Sequence, residues 1–386
     1  MFGGVNFFQR NGFRFDRYTR TGSPKSLTSN RLRGMTKDNE GRIYLGTEES
    51  GYNVFNPSTG EVTRCDNGQV ALMAKNYGDN VYIGYSRYGT DIIRDGNVVA
   101  NECANIISES ASVNSVYSFL IDNYGTRWVG SDWGLFKAVS GSSEYVQVDE
   151  IGQSWIFDLF QDSRGLIWIA SMGSGVWKYN PSTGKYKHYP YDEQYSNGLR
   201  SNSISSIMED SKGNIWISTD RGGLSRYDAE GDRFETFSIE EGLPDNVVYD
   251  VLEDRNGLLW FGTNSGLVKF DPETKNSIVF TTRDGLLTNQ FNYHSAVAGD
   301  DGYFYFGSMN GLIAFNPDIE QASDTIAPVY FTSMRLADHE VVPGAKDSPL
   351  DRSIMFTDCV ELPYDFPGMT IGVCLLYTSP SPRDRQ

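Results

Sequence analysis

Apolar and polar positions along this chain fall into short units of strand length. An apolar strand ends in Asp, a glycine turn follows, and an aromatic strand ends in Gly-Thr or a similar small pair. After a second glycine turn, another strand ends in Asp or Asn. The clearest copies, SISSIMEDSKGNIWISTDRGGLSRYD (203–228) and VVYDVLEDRNGLLWFGTNSGLVKFD (247–271), nearly superimpose. The small residue two places after the aromatic recurs at Gly46, Gly84, Gly130, Ala170, Ser218, Gly262 and Gly307, at intervals of 38 to 48 residues. That spacing fits four-stranded blades, which cannot bury their faces alone and must stack radially about an axis. The expected fold is all-β, a seven-bladed β-propeller.

Ile215-Trp216-Ile217 and Leu259-Trp260-Phe261 are apolar on both faces, as a strand sandwiched between neighbouring blades should be. Trp128, Trp168, Trp216 and Trp260 occupy equivalent places, with Tyr44, Tyr82 and Tyr305 replacing them in the other three copies. Identical placement in every repeat is what a shared core demands, so all seven are read as packing between blades. The Asp-x-x-Gly turns at 162–165, 210–213 and 254–257 lack the alternating carboxylates of a calcium loop and are read as hairpin turns. The copy around Tyr77 to Gly84 is degenerate.

Outside the repeats, GGVNFFQRNGFRFDRYT (3–19) looks like the last two strands of a blade. One of these strands, about 13–18, is expected to complete the seventh blade and remove exposed sheet edges. From about Thr325 the pattern changes: APVYFTSMRLADHEVVPG (327–344) and SIMFTDCVELPYDFPGMTIGV (353–373) read as strands of a partial β-sandwich. The tail CLLYTSPSPRD (374–384) reads as translated sequencing-adapter DNA, so 374–386 is expected to be foreign to the natural chain. The expected division is 1–20 as the end of a preceding blade or closing strand, 21–322 as propeller, 323–373 as the start of the sandwich, and then the tail.

Composition narrows function more than fold. A formal charge of −17, with no run among 33 Lys and Arg, argues against nucleic acid. Cys65, Cys103, Cys359 and Cys374 lack CxxC spacing, so no zinc site or disulfide framework is expected, and no cofactor is implied. Of three histidines, His188 falls in an outer strand and His339 beyond the repeats. His294 alone lies near the expected channel mouth, where a hydrogen-bonding surface role is the simpler reading. No GxSxG elbow or HExxH helix appears, and no catalytic residue is assigned.

Propellers bind at one end of the channel, on loops between blades and loops joining the second and third strands. Here those loops carry Arg87 and Tyr88, Asp132 and Trp133, Ser154 and Trp155, Asp220 and Arg221, Asn264, Met309 and Asn310, and Asn292 with Tyr293 and His294. Flat rings suit the apolar side of a sugar, planar polar groups suit hydroxyls, and Arg suits a uronate or sulfate. The candidate ligand residues are Arg87, Tyr88, Trp133, Trp155, Arg221, Asn292 and Tyr293. Trp133, Trp155 and Tyr293 stand outside the repeated Trp position, so the packing argument does not absorb them.

The core D-x-x-G-x-[IL]-W-[IVF]-G-T-x-x-G-[LV], with the GL-x-x-N lead-in at 242–246 and 285–289, resembles the two-component regulator propeller family over 3 to about 318. VELPYDFPGMTIGV is similar to the start of the Ig-like domain that follows such propellers. The resemblance implies the periplasmic sensor of a Bacteroidetes hybrid two-component system that binds an oligosaccharide. It further implies a homodimeric receptor, with membrane helix and histidine kinase in segments this chain lacks. A propeller lyase or glycoside hydrolase and a protein-interaction scaffold are the alternatives, since the fold does not dictate the chemistry.

Overall fold

The computed structural model describes residues 15–103, 115–192, 198–318, 329–336, 339–346, 348–357, 359–362 and 368–375. The chain divides into two units, 14–319 and a second one comprising 1–13 with 320–386. The first holds seven four-stranded antiparallel sheets, and their first strands neighbour one another in a closed cycle: a β-propeller. Blades one to seven begin with Leu32–Lys37, Ala71–Tyr77, Ser118–Ile121, Ile156–Gln161, Ile204–Glu209, Val248–Glu253 and Phe291–Ala298. In six blades the fourth strand follows the third along the chain. In blade seven it is Asp16–Tyr18, paired antiparallel with Gly311–Phe315 through Asp16↔Ala314, Arg17↔Ile313 and Tyr18↔Leu312.

The second strand of each blade carries the sandwich packing. Ile43–Thr47, Ile167–Ser171, Ile215–Thr219, Leu259–Thr263 and Phe304–Ser308 are buried at every position. The repeated small residue is required because the next blade's first strand passes directly over it. A Cβ on Gly262 would lie 2.5 Å from Phe291 Cβ, and one on Gly307 2.9 Å from Leu32 Cβ. In five blades the repeated aromatic packs one blade onward, on an aromatic of that blade's third strand, whereas Tyr44 stacks on Tyr52 of its own blade and Tyr82 on Phe119 of the next blade's first strand. Ring centroids are 5.4 Å apart for Trp128 and Tyr179, 4.9 Å for Trp168 and Tyr227, 6.4 Å for Trp216 and Phe270, and 5.0 Å for Trp260 and Phe315. Tyr305 and Phe55, 5.8 Å apart, carry the pattern across the seam from blade seven to blade one.

The turn aspartates do more than turn. Asp210 Oδ1 accepts the backbone N–H groups of Lys212 and Asn214, while Oδ2 accepts the Trp216 indole N–H at 2.8 Å. Asp122, Asp162 and Asp254 bind Trp128, Trp168 and Trp260 in the same way, at 2.8–2.9 Å. Each buried carboxylate thus satisfies its turn and locks the tryptophan that contacts the next blade. The GL-x-x-N lead-in has an equally local cause. Ser238 and Thr281 cap single 3₁₀ turns as capping boxes, Gly242 (φ 98°) and Gly285 (φ 107°) close them, and Asn246 and Asn289 accept the N–H groups of Ile239 and Thr282. Leu243 and Leu286 are buried behind the turns.

The second unit contains one three-stranded antiparallel sheet, in which Val329–Leu336 lies between His339–Glu340 and Met369–Leu375. Met334, Leu350 and Ile354 form its core. Its last strand runs through Cys374 and Leu375; the remainder of the tail expected to be foreign, 376–386, lies outside the described residues. Among the described residues Cys65, Cys103 and Cys359 are unpaired.

Candidate functional site

The channel mouth is made by bulges. In six blades the ladder between first and second strands skips residues near the start of the first strand. The skipped residues are Arg33 and Gly34, Leu72, Phe157, Ser205, Tyr249 with Asp250, and residues 292–295. A bulge re-aims side chains out of the alternating pattern, here into the lumen. The backbone shows it at two bulges: Gly34 has φ 71°, and His294 holds φ 51° without being glycine.

These side chains meet across the ring. Arg33 of blade one places its guanidinium carbon 5.9, 5.5 and 5.6 Å from the rings of Tyr117, Phe157 and Tyr293, which belong to blades three, four and seven. Only a side chain crossing the lumen can touch all three. Phe157 also meets Tyr293 at 5.1 Å and His294 at 4.9 Å, and Tyr249 meets Tyr293 at 4.9 Å. Trp155 joins this collar through Tyr117 at 5.1 Å. With the collar lies a charged group: Lys75 Nζ is 3.6 Å from Asp158 Oδ1, and Asp158 Oδ2 accepts the Ile207 N–H from the next blade.

Burial shapes the protonation of these groups. The Asp250 carboxyl is pushed up to about 7, first by burial and then by Asp158, against the pull of Lys75 and the N–H groups of Ser295 and Ala296. Among the described residues its Oδ2 has no hydrogen-bond partner. Burial holds His294 down at about 4, and its Nε2 has no hydrogen-bond partner among the described residues. Burial also lowers Arg33, opposed by Glu48, whose carboxylate is 3.9 Å away.

The candidate residues divide into two groups. Tyr88, Trp133 and Trp155 are 40, 43 and 39 % exposed, large rings left open to solvent on adjoining loops. Arg87 and Arg221 are exposed on second-to-third-strand hairpins, and Tyr293 is half-buried in the collar. Asn292, by contrast, is buried, and its amide nitrogen donates to Leu32 O and Glu48, tying blade seven to blade one. His294 is buried in the lumen and is not the surface residue expected, because the bulge turns it inward. Asn264 accepts from the Tyr249 hydroxyl at 2.8 Å. Sequence reasoning missed Arg33, Tyr117, Phe157, Tyr249, Lys75 and Asp250. No sequence pattern marked them, because the skipped positions carry residues as different as Arg33, Leu72, Phe157 and Ser205.

Residues 198–221 and 242–265 match the two-component regulator propeller repeat, so the chain carries that repeat on a β-propeller. Histidine kinase P4 of Formosa agariphila is 25 % identical over 96 % of this chain and 28 % of its own length. The chain therefore spans under a third of that relative. The extracellular domain assigned to a hybrid two-component system of B. thetaiotaomicron superimposes with TM-score 0.74 at 24 % identity, over 86 % of this chain and 46 % of that one. Virginiamycin B lyase from Staphylococcus aureus shares the fold at TM-score 0.61 and 11 % identity, over 78 % of this chain and 98 % of its own. The chain is thus similar to the extracellular sensor domains of hybrid two-component histidine kinases. Among the described residues no helix is long and apolar enough to cross a membrane.

Proposed function

We propose that this chain is the periplasmic ligand-sensing part of a hybrid two-component histidine kinase, that it binds an oligosaccharide, and that the full receptor relays occupancy to transcription. The observation that carries the reading is the trio Tyr88, Trp133 and Trp155, exposed rings beside an aromatic-lined channel mouth. Ring faces of this kind pack on the apolar side of a pyranose, and planar polar side chains suit its hydroxyls. On this reading the chain binds without transforming, the second unit begins an Ig-like sandwich, and signalling passes through altered packing in a receptor dimer.

A glycan array on the chain tests the ligand class, followed by calorimetry with Trp133→Ala and Arg221→Ala. Loss of about tenfold or more in affinity supports the placement. Unchanged affinity moves the site away from this mouth, and release of shortened products on prolonged incubation favours the enzyme alternative. Ligand-independent crosslinking across a receptor dimer would rule out the relay.

A further inference from the structure

Arg33 stands at the middle of the mouth with its Nε unsatisfied among the described residues. Its side chain is only 15 % exposed, Nε is fully buried without a partner, and the nearest carboxylate, Glu48, is beyond hydrogen-bond distance at 3.9 Å. Ring faces from three other blades surround the charge but accept no full hydrogen bond from it. A buried guanidinium is costly when its donors are left unsatisfied, and in native proteins such a group normally has an acceptor.

A second observation concerns the rim. Arg87 (φ 62°) and Arg221 (φ 78°) hold the left-handed backbone at the same place in the hairpins of blades two and five, three blades apart in a ring of seven. The equivalent residue of blade four is Gly173, at φ 111°. Glycine takes this conformation without steric penalty and arginine does not. The chain thus places a cation twice where glycine would be easier, on nearly opposite sides of the mouth. Neither guanidinium has a hydrogen-bond acceptor among the described residues; Arg221 has only Asp220, at 3.9 Å.

We infer that the mouth selects an oligosaccharide bearing a carboxylate or sulfate group, which Arg33 receives within the collar while Arg87 and Arg221 hold the flanking sugars. This rests on the sugar-binding reading and adds the ligand's charge. Arginine suits both anions, because its planar fork offers paired donors. Asp132, Asp220 and Glu48 temper the positive field, so an anion is favoured only where its oxygens reach the forks. A proton on Asp250 leaves Arg33 less compensated, so affinity should fall as pH rises past 7.

The test measures binding of three probes to the chain by calorimetry: a trimer of galacturonate, a sulfated trisaccharide and galactotriose. At least one anionic probe should bind ten or more times more tightly than the neutral one, and raising salt should narrow the gap. Arg87→Gly and Arg221→Gly should each weaken the anionic probe at least fivefold while raising the melting temperature, since they relieve backbone strain. Lost affinity therefore cannot be blamed on misfolding. Arg33→Met should abolish the preference for charge. Comparable binding of neutral and anionic probes, unaffected by the glycine variants, overturns the inference and leaves the oligosaccharide reading intact. Binding of none of the three overturns the inference outright.

Discussion

Replacing Asp250 with Asn should change how stability depends on pH in a calculable way. The Asp250 carboxyl rises from its ordinary 3.8 to about 7 in the fold, so between these values the native state holds a proton that the unfolded chain has lost. Stability therefore falls as pH rises through this window, by at most about 4 kcal/mol at about 1.4 kcal/mol for each tenfold change. His294 acts oppositely. Its value drops from 6.5 to about 4, so the unfolded chain binds the extra proton and stability rises with pH across 4 to 6.5, by up to about 3 kcal/mol. In the wild type the two slopes largely cancel between pH 4 and 6.5. Asp250→Asn keeps an oxygen for the Ser295 and Ala296 amides but removes one slope, exposing the other. Urea unfolding followed by tryptophan fluorescence reports it well, because the repeated tryptophans are buried. The stability difference, variant minus wild type, should grow by about 3 to 4 kcal/mol from pH 4 to 7.5. A difference that stays constant across that range would refute the claim that Asp250 is buried without a full counter-charge.

Further outcomes follow from the blade architecture. Asp210→Ala strips the Trp216 indole and two turn amides of their acceptor at once and should cost about 3 kcal/mol by urea unfolding; a cost below about 1 kcal/mol would mean that neither the turn bonds nor the indole bond holds the blade. Gly262→Val drives a branched side chain into Phe291 of the next blade and should lose about 3 kcal/mol or more, whereas Gly165→Ala, at a turn (φ 81°) with nothing within 4 Å, should lose about 1 to 2.

The ring was legible in the sequence because its packing repeats. A tryptophan or tyrosine and a small residue recur at the same two places wherever one blade meets the next, and Gly262 under Phe291 shows why the small position cannot drift. The lumen was not legible, because it is made of exceptions to the strand alternation. Phe157 and Tyr249 read as ordinary apolar strand residues until the bulges turn them inward, and a register shift of one residue leaves no mark on a hydrophobic pattern. Arg33 lay inside a strand and so fell outside a search confined to loops. The aspartate at each turn was recognised for its turn alone, since its bond to an indole six residues on depends on the hairpin folding back. The seam bonds of Asn292 were hidden for the same reason: its partners are Leu32 and Glu48, at the far end of the ring's sequence.

Closure of blade seven by Asp16–Tyr18 has a mechanical corollary. The first and last strands of the ring lie side by side, joined by three residue pairs and wedged by Phe15 against Phe280 and Phe315. A pull on either end of the propeller is felt at the other through this short latch, without traversing the six intervening wedges. Whatever tension reaches the ring from its neighbours along the chain is thus loaded onto one seam, which should be the first to part.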